Sequence, residues 1–207
     1  KLTPDERREL YPLIGVERVA EIFAYLDDAE PYLKELPIES AAKIVSEMDS
    51  DDAVDVLEEM DATTKHKIVG MLDKEASDDV RLLFSYDDDE IGSRMTTNFI
   101  MIHNHLTIRQ AMRELVEQAG ENDNISTIYV IDEEDKFYGA IDLKDLIIAR
   151  EYTDLEDIIS HSYPYVMDHE KVSDCIDKIR DYAEDSIPVL QENGTIAGII
   201  TSQDIVE

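Results

Sequence analysis

Carboxylate side chains are concentrated in the stretch SEMDSDDAVDVLEEMDA, residues 46–62, which places seven of them between positions 49 and 61 without a Lys or Arg. On a helix that begins near position 50, Asp51, Asp55 and Glu58 lie along one stripe, and Asp52 lies beside it. Like charges at these spacings destabilise a helix by roughly 0.2–0.5 kcal/mol per pair, which a hydrated divalent cation would relieve. Carboxylate oxygens suit Mg²⁺ or Ca²⁺. The stripe therefore predicts either a hard-cation site or a solvated acidic face.

Other motifs that could do chemistry are weaker. An EF-hand is excluded because Ala53 stands at the third ligand position and the turn glycine is missing. His103 and His105 could share one side of an extended chain, but no third ligand lies nearby in sequence, so a polar turn at the end of a strand is favoured. The sequence contains no Gly-rich phosphate loop, nucleophile elbow or spaced Cys/His set. We therefore expect that the protein is not an enzyme.

Composition limits the class of partner. The 207 residues include 50 Asp and Glu against 19 Lys and Arg, a formal net charge of −31. Such a surface repels nucleic acid and anionic lipid, which depend on Lys and Arg to neutralise phosphate, and it attracts cations. No apolar run approaches the roughly 18 residues of a membrane helix, so these residues are expected to be soluble. Cys175, the only cysteine, is expected to be a core thiol in a reducing compartment.

The acidic stripe belongs to a twelve-residue repeat in the N-terminal part of the chain. An apolar residue followed by Pro or Asp recurs at positions 36–37, 48–49, 60–61 and 72–73, and each pair opens a segment with helical spacing. Asp49, Asp61 and Asp73 suit helix N-caps, and Pro37 suits the first helical position. Helices this short are unstable alone. They predict a superhelical stack of the solenoid kind.

A second repeat follows from about residue 90. Residues 129–147 align without gaps on residues 188–206 at an offset of 59, which matches Val130 with Val189, Gly139 with Gly198 and Asp145 with Asp204. Each copy is predicted to be a strand, a helix, two strands and a helix. Because each copy is too small for a full core, the two are expected to pack together.

The doubled unit resembles a tandem CBS (cystathionine-β-synthase-type) domain pair. The acidic twelve-residue repeat, which continues through SYDDDEIGSRMTTNFI into the first copy, resembles the cytosolic region of the MgtE magnesium transporters. The resemblance implies an all-α, armadillo-like superhelical domain over residues 1–88, followed by an α/β tandem CBS pair over residues 89–153 and 154–207. It also implies a transmembrane domain outside these 207 residues and a homodimer formed through the CBS domains.

The resemblance assigns magnesium ligands. In that family, acidic residues of the helical domain and of the CBS pair face each other, and Mg²⁺ ions bridge the gap. Carried across by position, the ligand-bearing helix corresponds to Asp51, Asp52, Asp55 and Glu58. Asp204 is the expected partner, and Asp174 is a further candidate. The run Tyr86 to Glu90 is a second acidic cluster, interpreted as a polar linker or as an ion contact.

CBS pairs often bind adenine nucleotides, and the resemblance implies a signature of Gly, two apolar residues, Thr or Ser, two residues and Asp. The second copy matches with Gly198, Thr201 and Asp204. The first copy has Gly139 and Asp145, with Lys144 adjacent, but it carries Asp142 in place of the hydroxyl residue. In MgtE relatives ATP is held by the first copy, where Asp142 adds unwanted charge. Glu184 replaces an aromatic residue of some relatives.

The resemblance implies the cytosolic magnesium-sensing region of a transporter or channel, located at the cytoplasmic face of the membrane. Magnesium would screen the acidic faces and favour the closed state, and repulsion between the faces would favour separation when magnesium is scarce. One alternative is a soluble CBS-pair sensor of adenine nucleotides that regulates a partner protein. Another is an interaction scaffold without ligands.

Overall fold

The computed structural model describes residues 2–26, 28–120, 122–181 and 184–201. The chain divides into two compact units, Lys1–Ser85 and Tyr86–Glu207. Asp204 and the end of the second unit lie outside the described residues. The two units are built from different repeats.

The N-terminal unit is entirely helical where it is described. Its helices are α1 Pro4–Ile14, α2 Val16–Ala24, α3 Glu30–Leu33, α4 Ile38–Ser46, α5 Ser50–Glu58, α6 Ala62–Val69 and α7 Lys74–Leu83. The last four begin at residues 38, 50, 62 and 74, so the twelve-residue repeat in the sequence is the repeat of the structure. Helices two apart in this series pack together, α4 on α6 and α5 on α7, while α2 contacts both α4 and α5. This is the predicted superhelical stack.

Side-chain caps fix where these helices begin. Asp61 accepts hydrogen bonds from the backbone amides of Thr63 and Thr64, and Asp73 accepts one from that of Ala76. The prediction for Pro37 is wrong by one residue, since Pro37 stands at the N-cap of α4 and the helix begins at the next position. Both positions suit proline because neither needs its missing amide hydrogen.

The second unit contains two α/β repeats. The first repeat consists of β1 Ile100–His103, α8 Ile108–Gln118, β2 Thr127–Ile131, β3 Phe137–Asp142 and α9 Leu143–Ile148. The second repeat consists of β4 Val166–Met167, α10 Val172–Asp181, β5 Ser186–Leu190 and β6 Ile196–Thr201. A 3₁₀ turn precedes each, at Ile91–Ser93 and Leu155–Ile158. In each sheet the central strand pairs in parallel with the first strand and antiparallel with the last.

The sheet registers match the internal alignment. Val130 pairs with Gly139, and Val189 pairs with Gly198, which are the positions related by the offset of 59. A register shift follows Val130 and Val189 alike. Each repeat also lends an extended segment to the other sheet, because Thr96 bridges to Ile199 of β6 and Ser160 bridges to Ala140 of β3. The two repeats are therefore interlocked, as their small separate cores require.

The core of the first α/β repeat lies on both faces of its central strand β2. Ile128 and Val130 pack into a buried aliphatic cluster beneath α8 and α9, together with Ile141 and Leu146. Tyr129 points the other way and joins a smaller buried cluster that includes residues of both repeats. The alternation follows from the two-residue period of a strand. Cys175 is fully buried, as predicted.

Candidate functional site

The predicted carboxylate stripe lies on α5. Asp49 is the N-cap of this helix. Asp55 and Glu58 are exposed, and Asp51 and Asp52 are partly exposed. The opposite face is buried and consists of Ser50, Ala53, Val54, Val56 and Leu57. Packing of α5 against α2 and α7 thus fixes which face is turned outward. The structure places all four predicted α5 ligands on one element, as the helical spacing requires.

The chemistry of these donors fits a hard cation. All four are carboxylates, and Mg²⁺ typically retains most of its waters and binds proteins through one or two carboxylates. Within residues 2–26, 28–120, 122–181 and 184–201, no three His, Cys, Asp or Glu side chains are grouped so that they could hold one metal ion. The described part of the chain therefore offers α5 as a source of isolated carboxylate ligands for a hydrated ion, without a closed cage.

The two remaining predicted metal ligands belong to the second unit. Asp174 lies exposed in the first turn of α10, where its amide donates to the carbonyl of Lys171 at 3.0 Å. Asp204 lies outside the described residues. Both remain predictions.

The predicted nucleotide glycines have a structural role of their own. A Cβ atom on Gly139 would lie 2.6 Å from Cγ2 of Ile159 and 2.7 Å from the carbonyl oxygen of Ser160. A Cβ on Gly198 would lie 2.7 Å from the carbonyl oxygen of Thr96 and 2.8 Å from Sδ of Met95. In both places the chain segment that crosses from the other repeat passes directly over the glycine. Glycine is required here for close packing, whether or not a nucleotide binds.

The first turn of α9 carries the polar residues of the predicted nucleotide site. Lys144 and Asp145 are both exposed there. Asp142, which replaces the expected hydroxyl residue, is the N-cap of α9 and accepts a 2.7 Å hydrogen bond from the amide of Lys144. A carboxylate serves this capping role as well as a hydroxyl does. Thr201 ends β6 opposite Ser186.

A buried hydroxyl network beside this position was not predicted. The hydroxyls of Tyr129 and Ser186 lie 2.6 Å apart, and the hydroxyl of Tyr163 donates to the carbonyl of Ser186 at 2.8 Å. Burial raises the pKa of the Tyr163 hydroxyl to about 12, and it raises the pKa of Tyr129 further. The available signal was Tyr129 itself, a hydroxyl in the middle of an apolar run, since buried Tyr hydroxyls usually have a partner.

His103 and His105 lie at a polar turn that ends β1, as favoured from the sequence. His103 ends β1, its ring centroid lies 5.4 Å from that of His105, and its Nε2 lies 3.2 Å from Oδ1 of Asp135. Asp135 occupies the turn between β2 and β3 with a left-handed φ of 59°. Asp135, 32 residues away in the sequence, is thus brought by the tertiary structure to His103 as a hydrogen-bond partner.

None of the described helices is both long and apolar enough to cross a bilayer.

Comparison with known proteins identifies the two units. A family model described as the MgtE intracellular N domain matches residues 1–89, and one described as the CBS domain matches residues 89–152 and 155–207. The magnesium transporter MgtE of Enterococcus faecalis is 31% identical over 210 residues, which cover 100% of this chain and 46% of that relative. The chain spans about half the length, or less, of the curated transporters that it matches.

Two solved structures are similar over nearly the whole chain. A crystal structure of the soluble part of a magnesium transporter is 32% identical, with a TM-score of 0.93, and the match covers 99% of this chain and 82% of that one. A crystal structure of the cytosolic domain of the Mg²⁺ channel MgtE in complex with ATP is 28% identical, with a TM-score of 0.89 and coverage of 99% and 85%. The predicted fold class, a superhelical N domain followed by a tandem CBS pair, is confirmed.

Proposed function

The chain belongs to the MgtE family of magnesium transporters, and from that premise we propose that it is the magnesium-sensing regulatory region of such a transporter or channel. The single observation that carries the proposal is the outward carboxylate stripe of α5, within a domain that matches the family's intracellular N domain. In this proposal the region lies at the cytoplasmic face of the membrane and acts on a transmembrane domain of the same protein.

The proposed mechanism is electrostatic. Hydrated Mg²⁺ ions bind Asp51, Asp52, Asp55 and Glu58, with Asp204 and Asp174 as ligands from the CBS pair, and they neutralise the repulsion between acidic faces. A ligand that prefers one of two conformations shifts the population toward that conformation. Weak carboxylate binding suits this role because the sensor must respond to free magnesium of order millimolar.

Small-angle scattering tests this mechanism. The radius of gyration of the 207-residue chain is measured in chelator, in about 10 mM MgCl₂ and in NaCl of equal ionic strength, since weak carboxylate sites need millimolar ion. The proposal expects a smaller radius in MgCl₂ than in either control. Equal radii in MgCl₂ and NaCl would contradict it, because general screening would then account for any change.

We further propose that ATP binds at the first repeat, where Lys144 and Asp145 are exposed on the first turn of α9. The Asp145 carboxylate would accept hydrogen bonds from the ribose hydroxyls, and Lys144 would bind the phosphates. The ATP complex of a 28% identical relative supports this assignment. The alternative function, a nucleotide sensor that regulates a partner protein, predicts that ATP raises the melting temperature while MgCl₂ does no more than NaCl. Asp145→Asn should abolish the ATP effect in either case.

The homodimer also remains a proposal, supported by an apolar surface on the first repeat. Ile147 and Ile148 on α9 and Val116 on α8 are each more than 60% exposed, and α8 contacts α9. Tyr152, 79% exposed, follows shortly after α9. Large apolar side chains grouped on contacting helices are typical of an interface, and we propose that a second copy of the chain covers them.

A further inference from the structure

The acidic run at residues 86–90, here called the junction segment, does not extend into solvent as a polar linker. Tyr86 is buried, and its hydroxyl donates to Oδ2 of Asp168 at 3.1 Å. The ring of Tyr86 lies against the backbone of Gly92, where a Cβ atom would come within 2.6 Å of it. The junction segment is thereby seated on the turn between β4 and α10 of the second repeat.

Backbone hydrogen bonds hold the same contact. The amide of Ile91 donates to the carbonyl of Glu170 at 2.8 Å, and the amide of Gly92 donates to the carbonyl of Asp168 at 2.8 Å. In the reverse direction, the amide of Val172 donates to the carbonyl of Asp89 at 2.9 Å. These bonds make a short two-stranded contact, so the segment has a defined position that side-chain charge can strengthen or weaken.

Two cations of the second repeat neutralise acids of the junction segment. Nζ of Lys171 lies 2.6 Å from Oδ1 of Asp89, and Nδ1 of His169 lies 3.1 Å from Oε1 of Glu90. The lysine keeps its charge throughout the physiological range, and the histidine does not. His169 is therefore the variable element of the contact.

The surroundings of His169 favour its charged form. Glu90 faces one ring nitrogen, and Oδ2 of the 5% exposed Asp168 lies 4.0 Å from the other. Asp87 adds negative charge from the junction segment, and the Tyr86 ring stacks obliquely on the imidazole at 5.2 Å. On the remaining side, a surface depression lined by Asp168 and His169 also contains three residues of the turn after β5. These are Gln191, Glu192 and Asn193. The nearby Lys171 is occupied with Asp89.

We propose that His169, by carrying a proton between Glu90 and Asp168, acts as a pH-dependent clip that fixes the junction segment to the second repeat. The clip is tight when His169 is charged and loosens when it is neutral. This pH-dependent contact is distinct from the proposed magnesium response and does not depend on it. Protons would then act on the first residues of the CBS pair, immediately after the last helix of the N-terminal unit, independently of divalent cations.

The pH window follows from both partners. The hydrogen bond to Glu90, aided by the charge of Asp168, raises the pKa of His169 above its usual value of about 6.5. The stabilisation that charged His169 gives to the junction segment is complete below pH about 6.5, and it is lost as pH rises through the raised pKa of His169. The pKa of Glu90 is lowered mainly by a hydrogen bond from the amide of Asp87 and next by the hydrogen bond with His169. The lower pH limit of the clip is therefore the pH at which Glu90 becomes protonated. The clip therefore opens as pH rises through the raised pKa of His169, above its usual value of about 6.5.

Hydrogen exchange at the backbone of Ile91 and Gly92 tests the proposal in the full chain. The variant His169→Gln removes the charge and keeps a polar side chain, and His66→Gln, an exposed histidine of α6, is the matched control. At pH about 6, His169→Gln should reduce protection by about two- to fivefold, as expected for loss of a surface ion pair. At a pH about two units above the titration midpoint of His169, where the imidazole is neutral, the variant and the wild type should agree. His66→Gln should resemble the wild type at both values.

Equal protection in the variant and the wild type at pH about 6 would overturn the proposal. So would a difference that persists unchanged about two units above the titration midpoint of His169, because an uncharged contact would then explain it. A second measurement needs no variant: the imidazole protons of His169 and the amide of Gly92 are followed by NMR as pH is raised. Both should titrate with one midpoint above about 6.5. Failure of Gly92 to follow His169 would overturn the proposal independently.

Discussion

The hydroxyl of Tyr129 lies 2.6 Å from the hydroxyl of Ser186, and this bond joins the central strand of one CBS repeat to the central strand of the other. Both residues are buried. The backbone carbonyl of Ser186 also accepts a hydrogen bond from the hydroxyl of Tyr163, which lies in the segment that precedes β4. The interface between the repeats is therefore held by directional polar bonds within an apolar cluster, which fixes its register more sharply than apolar contact alone.

Removal of the Tyr129 hydroxyl should destabilise the CBS pair. Tyr129→Phe keeps the ring and leaves the buried Ser186 hydroxyl without this bond, so the free energy of unfolding should fall by about 1–2 kcal/mol. Urea denaturation measures the change. Tyr165→Phe, in the same unit but 53% exposed, is the control and should alter it very little. Equal losses in the two variants would mean that the buried bond contributes nothing specific.

Gly198 and Gly139 should not tolerate a methyl group. Alanine at either position forces the crossing segment of the other repeat to move, because its backbone lies only 2.7 Å from the new Cβ atom. A loss of about 1–3 kcal/mol in unfolding free energy is expected, as for other overpacked sites. Gly120→Ala, where the nearest atom is 3.9 Å away, serves as the control. A tolerated Gly198→Ala would contradict the interlocked packing.

Neutralising the α5 stripe should have opposite effects with and without magnesium. Asp55→Asn with Glu58→Gln removes like-charge pairs at spacings of four and three, so in chelator the unfolding free energy should rise by roughly 0.2–0.5 kcal/mol per pair. In this double variant, the stabilisation by MgCl₂ beyond that by NaCl of equal ionic strength should be smaller than in the wild type. Thermal unfolding in the three buffers measures both effects.

A matched pair on another helix controls for net charge. Glu17→Gln with Glu21→Gln also removes two exposed carboxylates, from α2, and it should leave the magnesium-specific stabilisation intact. If both double variants lose the magnesium effect equally, the ion responds to total charge, and a site on α5 is ruled out.

Alkaline pH should weaken the interface between the repeats. The pKa of Tyr163 is raised from 10.0 to about 12, chiefly by burial, so the folded chain keeps a proton that the unfolded chain loses between these values. Stability must therefore fall as pH rises through this range. Unfolding free energies at pH about 9 and 11 should show a shallower decline in Tyr163→Phe than in the wild type. Tyr25→Phe, at an 89% exposed position, should decline as the wild type does.

Charge on the exposed surface of α9 should prevent self-association. Ile147→Glu with Ile148→Glu would place two carboxylates where we propose that a second copy packs, and burial of such side chains is worth about 1.5–3 kcal/mol each. Light scattering should report a dimer for the wild type and a monomer for the variant. Met71→Glu, at a half-exposed apolar position of the N-terminal unit, should remain dimeric. A wild-type monomer at high concentration would contradict the dimer proposal.

Local pattern was sufficient for most of the fold. The helices at residues 50, 62 and 74 begin where the twelve-residue repeat and its aspartates place them, and the helix at residue 38 begins within one residue of the predicted start, because apolar spacing and capping act within a few residues. The sheet registers match the offset of 59, because a strand shifted by one residue would turn Ile128 and Val130 away from their core. The orientation of the acidic stripe could also be predicted locally, because the helical period alone places Asp55 on the exposed face of α5 and Leu57 on its buried face.

Contacts between residues far apart in the chain could not be read in this way. The sequence by itself determined two repeat systems, their core faces, an acidic helix and the family to which they belong. Only the tertiary structure decided that Tyr129 meets Ser186, that Gly139 and Gly198 lie beneath crossing segments, and that Glu90 is paired with His169. Periodicity reports which side of an element is buried, because that depends on neighbours three or four residues away. Which distant residue a buried side chain contacts depends on how whole helices and strands pack together, and local spacing does not encode that packing.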